Sequence, residues 1–148
     1  MRLALACACW VIAMSGVASA DDTAPASDAV GTAIGSASGA EIYRRVCQGC
    51  HMPEGQGAVG AGHYPKLAGD AALVSWEYAA LTILNGKNDM PAFAAPEAPV
   101  IVLRVFHLSD ANVADVVNYV RSHFGNKWNT RVTAAEVAAL PHTPASQK

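Results

Sequence analysis

Cys47-Gln48-Gly49-Cys50-His51 is the stretch on which the reading of the whole chain turns. The C-x-x-C-H spacing is the signature of covalent c-type haem attachment. Two thiols one helical turn apart can reach the two vinyl groups on one edge of a porphyrin and form thioethers. The histidine that follows then lies under the ring, with its imidazole in reach of the iron. Three other chemistries use paired cysteines. A thioredoxin-like redox pair needs an alternating βαβ pattern around it, and none is present. A zinc site lacks a second cysteine pair and would have to borrow scattered histidines. A structural disulfide leaves His51 without a role. Cys47, Cys50 and His51 are therefore expected to hold one covalently attached haem c.

Iron held by His51 needs a second axial group. Met52 adjoins His51 and cannot cross to the opposite face, so Met90 is the expected thioether, and His51 with Met90 make up the metal ligands. Met90 lies in Asn88-Asp89-Met90-Pro91-Ala92-Phe93, a loop in which Pro91 restricts the backbone. The competing readings are a core gap-filling methionine, or ligation by His63, His107, His123 or His142. The remote ring N–H of His51 also needs an acceptor, commonly a backbone carbonyl. Tyr64-Pro65-Lys66-Leu67-Ala68-Gly69 is placed to supply it, with the Pro65 carbonyl as acceptor and Leu67 packing near the ring.

Upstream, Arg2 precedes the uncharged apolar run Leu3 to Met14 and a small-residue exit, Ala18-Ser19-Ala20. Asp21-Asp22 then breaks the apolarity. This is the form of a secretory signal peptide over residues 1–20, and it predicts a periplasmic protein. Cleavage would remove Cys7 and Cys9 and leave only Cys47 and Cys50. The rival readings are a retained membrane anchor, since the run is only slightly short for a span, and a lipoprotein signal at Cys7, disfavoured because too little apolar chain precedes that cysteine; cleavage is the favoured reading. Membrane contact follows only if the segment is retained. Covalent haem attachment takes place outside the cytoplasm, so the export segment and the C-x-x-C-H motif agree.

Residues 21–37 are small, polar and aperiodic, and are expected to form a flexible linker. Ser38-Gly39-Ala40-Glu41 has the S-x-x-E form of a capping box and opens a short helix that runs into Cys47. The glycine-rich 52–70 stretch is expected to be loop. Ala71 to Leu84 carries apolar residues at helical spacing, and Asn85-Gly86 ends it. Val100 to Phe106 is β-branched and continuous, a predicted strand. Ser109 caps a helix over Asp110–Phe124, which Gly125 stops. Thr133-Ala134-Ala135-Glu136 is a second capping box, with Pro141 just beyond its short helix.

Composition narrows the function. The chain has 148 residues, 10 Lys+Arg against 12 Asp+Glu, and 7% aromatics. A net charge of −2 offers no basic field for nucleic acid, and the aromatics are too few for base stacking. The regular core is small for the length, as in a domain with something else at its centre.

From Ser38 to about Gly125 the chain resembles class I (mitochondrial-type) cytochromes c. The matching residues are Gly39 and Tyr43 before CQGCH, Tyr64-Pro65 with Leu67, Met90-Pro91, and the last helix with Val116 and Tyr119. The resemblance implies an all-α fold wrapped around one covalent haem, with a domain at 38–125; the C-terminal extension with a short helix at 126–148 departs from the family's pattern. The resemblance also implies first and last helices that cross closely at Gly39, with Tyr43 and Tyr119 packed beside the crossing. The strings CQGCHMPEGQGAVGAG and LSDANVADVVNYVRSHFGN are similar to cytochrome c subunits of periplasmic dehydrogenases, the p-cresol methylhydroxylase type among them. The chain departs from the pattern at Ala94 to Leu108, a short strand or hairpin insertion. That run either packs over the core or docks a partner by edge pairing.

Two axial ligands leave iron no open position, which argues for an electron carrier rather than an enzyme, and methionine opposite histidine raises the potential. The expected task is relay of single electrons from a periplasmic dehydrogenase to another cytochrome or a terminal oxidase of the respiratory chain. The alternative is a labile Met90 and a peroxidase or small-ligand sensor. Lys66 and Lys87 flank the two ligand loops, and either steer a partner or are simply solvated.

Overall fold

The computed structural model describes residues 34–60, 62–94 and 106–141. The expected signal peptide, the linker up to residue 33, His142 and all of the Val100–Phe106 run except Phe106 lie outside the described residues; Phe106 itself sits in a turn. Helix α1 (Gly39–Ile42) opens on Ser38, whose hydroxyl accepts from the Glu41 N–H at 3.3 Å. The Glu41 carboxylate accepts from the Ser38 N–H at 3.1 Å, which completes the capping box. The helix does not stop at Cys47. It continues through a π-helical turn, Tyr43–Cys47, into α2 (Gln48–His51), so the C-x-x-C-H motif itself is helical.

The 52–70 stretch is not all loop. β1 (Ala58–Val59) pairs antiparallel with β2 (His63–Tyr64), Ala58 opposite Tyr64 and Val59 opposite His63. The one helix expected over Ala71–Leu84 is two, a 3₁₀ turn at Ala71–Val74 and α3 (Trp76–Asn85). The break is Ser75, extended at φ −85° and ψ 109°, whose hydroxyl accepts from the Tyr78 N–H at 3.1 Å. Serine offers the backbone a local alternative to the helical bond, and here it is used as a cap. Helix α4 (Asp110–Ser122) ends two residues short of Phe124. His123 is extended, its ring Nδ1–H donating to the Tyr119 carbonyl at 2.8 Å, and Phe124 turns the chain at φ 57°. Helix α5 (Ala134–Ala138) starts on the Thr133–Glu136 capping box.

The core lies where α1 and the π turn cross α4. Ile42, Tyr43, Val113, Val116 and Val117 are buried there. A Cβ at Gly39 would overlap the Asp115 carbonyl and come within 2.9 Å of the Tyr119 Cβ, so only glycine permits this approach. The Tyr43 ring packs 5.7 Å from Tyr119 and 4.8 Å from Phe124. Ile34 and Ala37, read from sequence as linker, are buried as well. Asn112 holds the Ile34 carbonyl at 3.1 Å, so the packed chain begins before Ser38.

The C-terminal extension packs on α4 through buried Val132 and Val137. Asn118 exchanges both amide atoms with the Val132 backbone at 2.8 Å each. Buried Arg121 donates to the carbonyls of Leu73 at 2.9 Å, Thr130 at 2.7 Å and Val74 at 3.3 Å. Among the described residues no helix is long and apolar enough to cross a membrane.

Candidate haem site

The π turn and α2 carry Cys47, Cys50 and His51 on one continuous helical run. Both cysteines are free thiols, Cys47 half-buried and Cys50 exposed. Burial, then the neighbouring Cys50, pushes the Cys47 thiol up to about 12. A thioredoxin-type nucleophile needs the opposite shift. Among the described residues no cluster of three or more His, Cys, Asp or Glu side chains could hold a metal ion, so no zinc site is completed around the pair.

His51 is buried, and its Nδ1 lies 2.9 Å from the Pro65 carbonyl oxygen. A carbonyl only accepts, so Nδ1 carries the proton. Nε2 is then left with its lone pair, the form in which imidazole binds a metal. The surrounding backbone is tied back onto this helix. The His51 carbonyl accepts from the Gly57 N–H at 3.1 Å. Met52 sits at φ 67° and ψ 162°, a region that costs a non-glycine residue about 1–3 kcal/mol. Its carbonyl is held by the Tyr43 hydroxyl at 2.7 Å and the Gly55 N–H at 3.1 Å. Burial, then Cys47 and Tyr119, pushes the Tyr43 phenol up to about 12, so it remains a donor.

Leu67 is half-buried against the core, its N–H on the Gly55 carbonyl at 2.7 Å. Met90 is also half-buried against the core, on a tight turn closed by reciprocal backbone bonds with Lys87 at 2.9 and 3.0 Å. Gly86 precedes that turn at φ 73°, where a Cβ would come 2.6 Å from the Met90 carbonyl. Phe93 anchors the exit of the loop, its N–H on the Ile83 carbonyl at 2.9 Å.

Three of the histidines that compete with Met90 lie among the described residues. His63 is exposed on β2, His123 folds back on α4, and His107 buries an Nδ1 with no hydrogen-bond partner. Lys66 is exposed. The Lys87 ammonium is engaged within the chain, donating to the Tyr78 hydroxyl at 2.8 Å.

Two free thiols and a buried imidazole whose Nε2 keeps its lone pair fit a covalently bound haem, and none of the described residues conflicts with it. The fold and site define a small helical domain of the c-type haem class. The family model for cytochrome c matches residues 36–124, and the chain belongs to that family. Its members bind c-type haem covalently and transfer electrons.

Named relatives are of two kinds. The chain is 37% identical over 112 residues to the cytochrome c subunit of an alcohol dehydrogenase (quinone) from Gluconacetobacter polyoxogenes, covering 74% of this chain and 24% of that protein. It is 34% identical over 109 residues to the gluconate 2-dehydrogenase cytochrome c subunit of Pantoea cypripedii, covering 71% of this chain and 24% of that one. The chain thus spans about a quarter of these subunits. Cytochrome c-552 of Thermus thermophilus is 31% identical over 119 residues, with 74% of this chain and 78% of the relative covered.

Sequence reasoning missed the Tyr43 hydroxyl and the Gly55 carbonyl, which hold Met52 and Leu67, and Asn126, whose side-chain amide donates to the Leu67 carbonyl at 2.9 Å. The Gly55 carbonyl left no mark in the sequence. Asn126 left a faint one, a polar residue directly after the glycine that follows α4.

Proposed function

We propose that the chain is an exported, periplasmic monohaem cytochrome. In this reading it relays single electrons from a periplasmic dehydrogenase toward the respiratory chain, to another cytochrome or a terminal oxidase. Cys47 and Cys50 supply the two thioether links. His51 and Met90 supply the axial ligands. Pro65 orients the His51 ring, and Leu67 packs beside it. When bound, the haem supplies a one-electron ferric/ferrous couple.

The observation that carries the reading is the His51 Nδ1 to Pro65 bond at 2.9 Å, which sets the tautomer and turns Nε2 out as a ligand. The protein's part is otherwise restraint. The buried helix crossing and the strained, doubly held Met52 limit movement of the helix that carries His51 when the charge at the site changes. The dehydrogenase partner is supported by relatives that are cytochrome c subunits of dehydrogenases.

The test is the exported protein, made with its own residues 1–20 in a host that attaches haem. A red periplasmic product with the alkaline-pyridine spectrum of two thioether links, low-spin and unmoved by modest cyanide, is expected. Its ferric form should be reduced on mixing with a reduced quinone-dependent dehydrogenase from the same cell. A colourless product, or a high-spin resting state, overturns the proposal.

A further inference from the structure

We propose that Asn126 is the positioning residue that holds the Pro65 carbonyl under His51, and through it the orientation of the imidazole; this rests on His51 being an axial ligand. Asn126 is buried, beyond the end of α4 and far in sequence from the C-x-x-C-H motif. Its side-chain amide donates to two carbonyls, Leu67 at 2.9 Å and Val120 at 2.8 Å. Both partners are acceptors only, so the NH₂ group must face them and the amide has one orientation. Val120 lies in the last turn of α4, where carbonyls lack helical partners. A single side chain therefore joins the open end of α4 to the loop two residues past Pro65.

The loop needs this outside anchor. His51 binds the Pro65 carbonyl, Leu67 binds the Gly55 carbonyl at 2.7 Å, and Gly55 binds the Met52 carbonyl at 3.1 Å. These bonds close a ring from His51 and Met52 through Gly55 and Leu67 to Pro65 and back to His51. The ring braces the loop only against the helix it is meant to orient, so the two can move together. Among the described residues, two hydrogen bonds tie it to the segment just past α4: Gly69 N–H to the Phe124 carbonyl at 3.1 Å, and Asn126 to Leu67. Of these two, only the second is made by a side chain and can be removed by substitution. Without Asn126 the half-buried Leu67 carbonyl keeps only the Asp70 N–H at 3.3 Å, a bond made inside the loop itself, so the loop loses its side-chain tie and Pro65 is free to shift.

Asn126→Asp keeps the shape but aims a carboxyl at two carbonyl oxygens; Asn126→Ala removes both donors without a charge and serves if the aspartate variant does not accumulate. Val137→Ala, at the buried residue of α5, is the comparison that loses stability without touching the loop. The readout is hydrogen exchange of the His51 ring N–H in the reduced holoprotein by NMR, alongside the urea midpoint and the haem spectrum. Both Asn126 variants should keep haem and exchange that proton at least tenfold faster than wild type, while Val137→Ala leaves it within twofold. Exchange unchanged in a red, destabilised Asn126 variant overturns the positioning role and leaves the haem reading intact. A wild-type protein without haem overturns both.

Discussion

Met90 shows how a residue's chemistry depends on the turn that holds it. The side chain is half-buried against the core, and its backbone is pinned to Lys87 on one side, with Gly86 making room for the carbonyl. With Met90 as the distal ligand, Met90→Ala should remove the methionine–iron charge-transfer band of the ferric protein. It should also lower the midpoint potential by a sizeable part of the ~0.8 V range that axial ligands command. A spectrum and potential equal to wild type would show that the methionine is not a ligand. His51 is the opposite case. Its neighbours Cys47 and Cys50 could be read from spacing, because attachment chemistry is local in sequence. The Pro65 carbonyl, expected from the Tyr64–Gly69 stretch as acceptor for its ring proton, is fourteen residues away, and the fold sets it 2.9 Å from Nδ1.

Elements were legible where side chains act on their own backbone. All three sequence-read caps, Ser38, Ser109 and Thr133, accept from the N–H three residues on. Two of them set a pH dependence. Hydrogen bonds from Ser38 to Glu41 and from Thr133 to Glu136 hold both carboxyls below the ordinary value of 4.5. A lowered folded-state pKa means the contribution is complete above pH 4.5 and is lost as the pH falls through the lowered values. Urea midpoints measured downward from pH 5 should therefore decline, and decline less in the Glu41→Gln, Glu136→Gln double variant, whose caps survive without a titrating group.

Element boundaries were less legible. Ser75 breaks the pattern over 71–84, and a serine inside an apolar period does not announce whether it caps or continues. The α1–α4 crossing gives the second prediction at this scale. Gly39→Ala puts a methyl against backbone rather than a movable side chain, and should cost about 1–3 kcal/mol, read as a lower urea midpoint.

At the scale of the molecule, Arg121 joins three segments that are remote in sequence: α4, the 3₁₀ turn and the extension. Burial pulls its guanidinium pKa down, with Glu77 opposing, yet an arginine stays charged. Arg121→Met leaves three carbonyls without their donor and should cost about 3 kcal/mol in urea unfolding. Arg121→Lys should recover only part of it, because an ammonium cannot span the three acceptors in one plane. The haem spectrum should not change in either variant. The same scale explains why the linker boundary was misread. Ile34 and Ala37 stand in a polar, small-residue stretch with no period of its own, and only the surface left beside Asn112 gives them a place to bury.

By itself the sequence determined the family, the attachment motif, the caps at Ser38, Ser109 and Thr133, and, through the family resemblance, the close crossing at Gly39. Each is written in residues adjacent in the chain or in a residue type that no other could replace. The tertiary structure alone decided which side chain reaches the Leu67 carbonyl, where the 3₁₀ turn parts from α3, and that Ile34 and Ala37 are packed. Those depend on backbone groups and buried surfaces that every residue carries alike, so only the folded path distinguishes one from another.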